Sequence, residues 1–102
     1  MADRRIELQR VLEEVLGSGN VYFQPPENLK MKYDCIVYER SRIEALYASN
    51  APYRLLDRYQ VTAIYKNPDS VLPRRLAMLP MCSHDRHFTA DNLHHDVFVL
   101  YY

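Results

Sequence analysis

"YRLLDRYQVTAIYKN", Tyr53–Asn67, is the stretch that decides the fold. Tyr59, Val61, Ala63 and Tyr65 alternate with Arg58, Gln60, Thr62 and Ile64. A period of two puts a mainly apolar set on one face of a strand and a mixed set on the other. Neither glycine nor proline interrupts the run, and it is rich in β-branched and aromatic residues. A strand this long needs neighbours to pair with and a second layer to cover its apolar face.

Working outward, "YDCIVYER" (Tyr33–Arg40) predicts a second strong strand and "RIEALYA" (Arg42–Ala48) its partner, with Ile43, Ala45 and Tyr47 on one face. "SNAPY" (Ser49–Tyr53) supplies turn residues. Val21–Phe23 can form a short strand, closed by Pro25 and Pro26, which cannot donate to a ladder. Before it, "ADRRIELQRVLEEVLGSGN" predicts a helix whose apolar stripe is Leu8, Val11, Leu12, Val15 and Leu16. Asp3 is its candidate N-cap, and Gly17 with Gly19, the only glycines in the chain, mark its exit.

Downstream, "PDSVLPRRLAMLP" predicts a short helix capped by Asp69 or Ser70. Val71, Leu72, Leu76 and Leu79 would face the sheet, with Pro73 in the first turn and Pro80 at the end. "MCSHDRHFT", the turn residues "ADN" and "HHDVFVLYY" then predict a closing hairpin, with Val97–Tyr102 tied into the sheet. The expected architecture is one α+β domain over residues 1–102. It has a single, mainly antiparallel sheet of about five strands, an N-terminal helix, a second short helix and a C-terminal β-hairpin.

Hydrophobic residues at 48% and charged residues at 25% fit an ordinary globular domain and argue against disorder. The 13 basic and 13 acidic side chains cancel, which disfavours nucleic acid as the primary ligand. The cancellation is uneven: residues 1–39 carry five basic and seven acidic groups, residues 40–75 seven and three, residues 76–102 one and three. Unlike charge on different parts of a small domain suits self-association, and equally suits plain solvated faces. Cys35 and Cys82 are too few for a disulfide framework, no segment reads as a signal peptide, and no apolar run approaches the ~18 residues of a membrane span. The expectation is a cytosolic chain with reduced, buried thiols.

The chemistry-bearing stretch is "CSHDRHFTADNLHHD", Cys82–Asp96, which holds all four histidines. As a zinc site it would read C-x-H-x-x-H followed by H-H-D, without the paired thiolates or imidazoles usual in such sites. On a regular strand, His84 and His87 point to opposite faces, as do His94 and His95, and only a bulge or turn would make them converge. A His-Asn-His nuclease using His87, Asn92 and His95 needs a helix after the hairpin, and here a strand follows instead. Cys82 with His84 or His87 lacks any oxyanion-hole signature, and no glycine-rich phosphate or dinucleotide loop exists. The expectation is therefore no catalytic residue, no cofactor and no metal, with the histidines on the solvated side of the hairpin. The enzyme rival is a metal-dependent hydrolase on Cys82, His84, His87 and His95. Nine tyrosines and no tryptophan stand out; strands account for many, while Tyr53 and Tyr33 fall in expected loops and suit protein interfaces.

"LEEVLGSGNVYFQPPENLKMKYDCIVYER", "RYQVTAIYKNPDS" and "FTADNLHHDVFVLYY" together resemble the small tail-completion or tail-terminator proteins of long-tailed bacteriophages. Asp34 stands where that family commonly has proline. The resemblance implies a subunit of a ring, typically a hexamer, at the head-proximal end of the tail tube. Its partners would be copies of itself, the major tail tube protein and the head-closure connector. Genomic DNA would pass through the lumen without sequence recognition. It implies a virion location after assembly in the host bacterial cytoplasm, no membrane, and no catalytic residues. A related possibility is another head–tail connector, of the head-closure or adaptor kind. Loops 24–32 and 48–54 are then expected to reach neighbouring subunits, with Gln24, Pro25, Pro26, Lys30, Lys32, Asn50, Tyr53 and Arg54 as interface candidates.

Overall fold

The computed structural model describes residues 3–48 and 51–102. The elements run α1 (Asp3–Leu16), β1 (Val21–Phe23), β2 (Cys35–Ala48), β3 (Ala51–Tyr65), α2 (Leu72–Ala77), β4 (Cys82–Ala90) and β5 (Leu93–Tyr101). They form one mixed sheet in the order β1-β2-β3-β5-β4. β1 runs parallel to β2, and every other pairing is antiparallel. The α+β class, the two helices and the closing hairpin are as the sequence predicts. Where two strands are expected between Tyr33 and Ala48, the chain makes one. Ser41 is bulged out between Arg40 and Arg42, so the ladder with β3 continues past it without a turn.

The alternation in β3 sets the core. Tyr59, Val61, Ala63 and Tyr65 join Ile36 and Tyr38 of β2 and Phe98 and Leu100 of β5 under Leu8 and Leu12 of α1 and Leu72 and Leu76 of α2. Both helices thus cover the same face. Hydrogen bonds fix α1 there: Gln9 Nε2 donates to Val21 O at 2.9 Å, and the Tyr38 hydroxyl donates to Gln9 Oε1 at 2.5 Å. Gly17 ends α1 in the left-handed region at φ 85°, with its N–H donating to Glu13 O at 2.8 Å. Neither cap expected for α2 takes the N-cap position: Val71 occupies it without a side-chain cap, and Ser70, one residue earlier, accepts at Oγ from Leu72 N at 3.2 Å. Val71, expected to face the sheet, is exposed instead, because the helix starts one residue later and turns it outward.

On the other face of the sheet, Cys35, Ile64 and Val97 are buried and Val37, Thr62 and Val99 half-buried, with no helix over them among the described residues. The β4–β5 turn has Asp91 and Asn92 at φ 52° and 63°, the pair of positive φ values that a two-residue type I′ hairpin requires. Beyond β5, Tyr102 N donates to Asp57 O at 3.0 Å, and the Arg4 guanidinium donates to Tyr102 O at 2.9 and 2.6 Å.

Candidate functional site

The 24–34 segment runs along the β1 flank of the sheet. Gln24 sits at φ 43°, its N–H donating to Tyr38 O at 2.9 Å and its Oε1 accepting from Arg40 N at 3.3 Å. It anchors the segment rather than reaching out from it. Pro26, Lys30 and Lys32 are exposed and Pro25 is half-buried. Leu29 N donates to Pro26 O at 3.1 Å, and Lys32 N donates to the Tyr22 hydroxyl at 3.2 Å. These four residues lie together on one flank, with Tyr33 exposed beside them.

The second expected loop, 48–54, is mostly strand. Ala51–Arg54 belong to β3, with Pro52 opposite Tyr47 and Arg54 opposite Leu46; Tyr53 falls at a register shift between them. Asn50 lies outside the described residues. The consequence is a two-stranded ribbon. β1 pairs with β2 only over Ile36–Tyr38, and β5 pairs with β3 only over Arg58–Tyr65. Among the described residues, 42–48 and 51–57 therefore have only each other as strand partners, apart from the bond of Tyr102 N to Asp57 O at the root. At the usual strand rise, 42–48 alone reaches about 20 Å, which accounts for a molecule 50 Å long and only 24 by 23 Å across.

Ile43, opposite Asp57, and Leu55, opposite Ala45, fall on one face of this ribbon and are 61% and 62% exposed. Its root is held by charge: Arg40 Nε lies 3.0 Å from Asp57 Oδ2, Arg42 pairs with Glu44, and the Tyr101 hydroxyl donates to Glu44 Oε1 at 3.4 Å. Beside the root is a mainly apolar groove of about 250 Å³, bounded by Leu8 and Val11 of α1, Leu56, Leu79, Met81 and Leu100. Sequence reasoning missed the ribbon as a unit; Ile43 and Leu55 on alternating segments beyond the reach of other strands were the signal.

The histidine-rich hairpin also differs from expectation. Asp85 is bulged from β4 between His84 and Arg86, which brings His84 and His87 to the same face despite their odd spacing. Both meet Asp96 on β5. Asp96 Oδ1 accepts from His84 Nε2 at 2.8 Å and from His87 Nδ1 at 3.0 Å, while Oδ2 accepts from the Tyr65 hydroxyl at 2.5 Å. His94 stacks on Tyr65 and His87 from the same side, while His95 stacks on Phe88. Asp96 is 5% exposed. Burial pushes its carboxyl up, and hydrogen bonds from Tyr65, His84 and His87 more than offset that, so it titrates below the usual aspartate range. Burial, then the hydrogen bond to Asp96 and its charge, push the Tyr65 hydroxyl up to about 12.

The set Cys82, His84, His87 and His95 is not brought together as a metal centre: Cys82 faces the core and His95 the other side. Among the described residues, no three His, Cys, Asp or Glu side chains are arranged to hold a metal ion. Burial pushes both thiols up to about 11, helped at Cys35 by the charge of Asp34.

No protein-family model matches this chain, and no curated protein and no solved structure is detectably similar to it. Among the described residues, no helix is long and apolar enough to cross a membrane.

Proposed function

We propose that the protein is a structural, non-enzymatic subunit that assembles with copies of itself into a ring, of the kind its resemblance to phage tail terminators implies: a hexamer closing the head-proximal end of a tail tube and joining it to the head connector. The observation that carries this reading is the projecting ribbon. A two-stranded hairpin is marginal by itself in water, and one that leaves Ile43 and Leu55 uncovered gains stability when another surface covers them. A ring needs one patch to meet a different patch on its neighbour. The ribbon's apolar face and the groove beside α1 are such a pair. In this mechanism, the exposed 24–34 flank meets the next ring or the connector, and the lumen passes DNA without reading it.

Light scattering on the purified protein, with electron microscopy alone and with tail tubes, tests the reading. The wild-type chain forms a closed oligomer or caps tubes. Leu55→Glu on the ribbon and Met81→Glu at the groove each leave a folded subunit that does neither. A wild-type chain that stays monomeric and ignores tail tubes refutes the proposal.

A further inference from the structure

We propose that the cleft between α2 and β4 binds a phosphate group, held by Arg74 and Ser70 on one side and by His84 and His87 on the other. The cleft has a volume of about 360 Å³; its polar lining is these four residues with Tyr65 and Asp96, and apolar side chains such as Phe98 complete the wall. That is ample for a phosphate carrying an organic substituent.

The argument starts from Asp96. A carboxylate can only accept, so His84 must carry its hydrogen on Nε2 and His87 on Nδ1. This fixes both tautomers and leaves His84 Nδ1 and His87 Nε2 without a protein partner among the described residues. Each imidazole is 45% exposed, in keeping with an outer edge open to the cleft. An outer nitrogen accepts a hydrogen when its ring is neutral and donates one when the ring is charged, with the bond to Asp96 kept in either state. A phosphate offers oxygens to a charged ring, and a monoanionic monoester adds one proton for a neutral one, whereas a backbone diester has oxygens only and calls for charged rings.

Across the cleft, Arg74 makes no ion pair or side-chain hydrogen bond among the described residues, although five N–H groups are available to it. Ser70 Oγ already accepts from Leu72 N, which leaves its O–H free to donate into the cleft. Asp96 offers little to a cation here, because both of its oxygens are engaged and it is almost fully buried. Arg74 and Ser70 thus offer donors, the outer ring nitrogens join them when the rings are charged, and the guanidinium's fork suits phosphate oxygens. Asp96 is a positioning residue; it holds the two rings and does not itself meet the ligand.

Two sources supply such a group: a free phosphomonoester or the backbone of a nucleic acid. The test uses three probes on the full chain: inorganic phosphate, a nucleoside 5′-monophosphate and a short single-stranded oligodeoxynucleotide. Amide and imidazole NMR shifts are followed during each titration. The expected result is saturable shifts at Ser70, Arg74, His84 and His87, with affinity falling about tenfold or more in Arg74→Ala, the loss of one charge-assisted contact. Arg74 is exposed, so that variant keeps the wild-type circular dichroism and melting temperature. His84→Gln with His87→Gln weakens binding further. Shifts with phosphate and the mononucleotide but not the oligonucleotide identify a free monoester; shifts with the oligonucleotide alone identify a nucleic-acid backbone. Absence of shifts at these four residues with every probe, or equal affinity in wild type and Arg74→Ala, overturns the proposal.

Discussion

Replacing Tyr65 by phenylalanine tests the buried network at its innermost point. The hydroxyl that would be lost donates to Asp96 Oδ2 at 2.5 Å, in a position where Tyr65 is 4% exposed and Asp96 5%. A hydrogen bond to an ionised group contributes about 1.5–3 kcal/mol. The phenylalanine ring fills the same space apart from the oxygen, so no large cavity adds to the cost. For a domain of this size, each kcal/mol shifts Tm by roughly 4–8 °C, giving an expected fall of about 10 °C near neutral pH. The difference has a pH signature. The Asp96 carboxyl titrates lower in the folded chain than its ordinary 3.8, so the stability it contributes is complete above that value and is lost as pH falls through the depressed folded value. Urea unfolding of wild type and Tyr65→Phe at neutral pH and at a series of pH values below 3.8 measures this. The gap between the two proteins should narrow as Asp96 takes up its proton, because the charge-assisted part of the bond disappears. A gap under about 0.5 kcal/mol at neutral pH, the scale of an ordinary surface change, refutes the reasoning. So does a gap that stays constant as the carboxyl is protonated.

At the alkaline end the sign reverses. The Tyr65 hydroxyl is raised from 10.0 to about 12, so its contribution is present below 10 and lost as pH rises through about 12; Tyr65→Phe should remove that part of the alkaline loss of stability in a melting series. Cys35 and Cys82, both raised to about 11, should resist iodoacetamide near neutral pH in the folded chain and react readily in denaturant, as read by mass spectrometry. Asn92→Val, forcing a β-branched residue to φ 63°, should cost about 1–2 kcal/mol by urea unfolding. Leu12→Ala, at a fully buried position of α1, should cost about 2–5 kcal/mol in the same assay.

The fold was readable wherever a local rule decides. Period-two alternation from Tyr59 to Tyr65 gave the buried face of β3, and the apolar stripe through Leu8 and Leu12 gave the buried face of α1. Asp91 and Asn92 marked the last turn by their tolerance of positive φ. What escaped were the register shifts, above all the bulges at Ser41 and Asp85. Neither residue carries a compositional mark, because a bulge is imposed by the partner strand across the ladder. Each changed a conclusion. The first turns an expected strand pair into one long strand and hence a ribbon; the second brings His84 and His87 onto Asp96. Among the interface candidates, Lys30, Lys32, Pro25 and Pro26 do share a flank, whereas Tyr53 and Arg54 lie in a strand because the ladder extends further than a proline at position 52 suggests.

The bulge at Asp85 also governs how these molecules can grow together. It kinks the outermost strand and presents the Asp85–Arg86 ion pair, 3.1 Å apart, along a rim that would otherwise template another chain. The opposite rim is a strand of three residues followed by two prolines. With both rims blunted, side-by-side fusion of sheets into fibrils is discouraged, and among the described residues the long bare backbone edges that remain are those of the ribbon. Growth is thereby channelled toward a contact that can close on itself and stop.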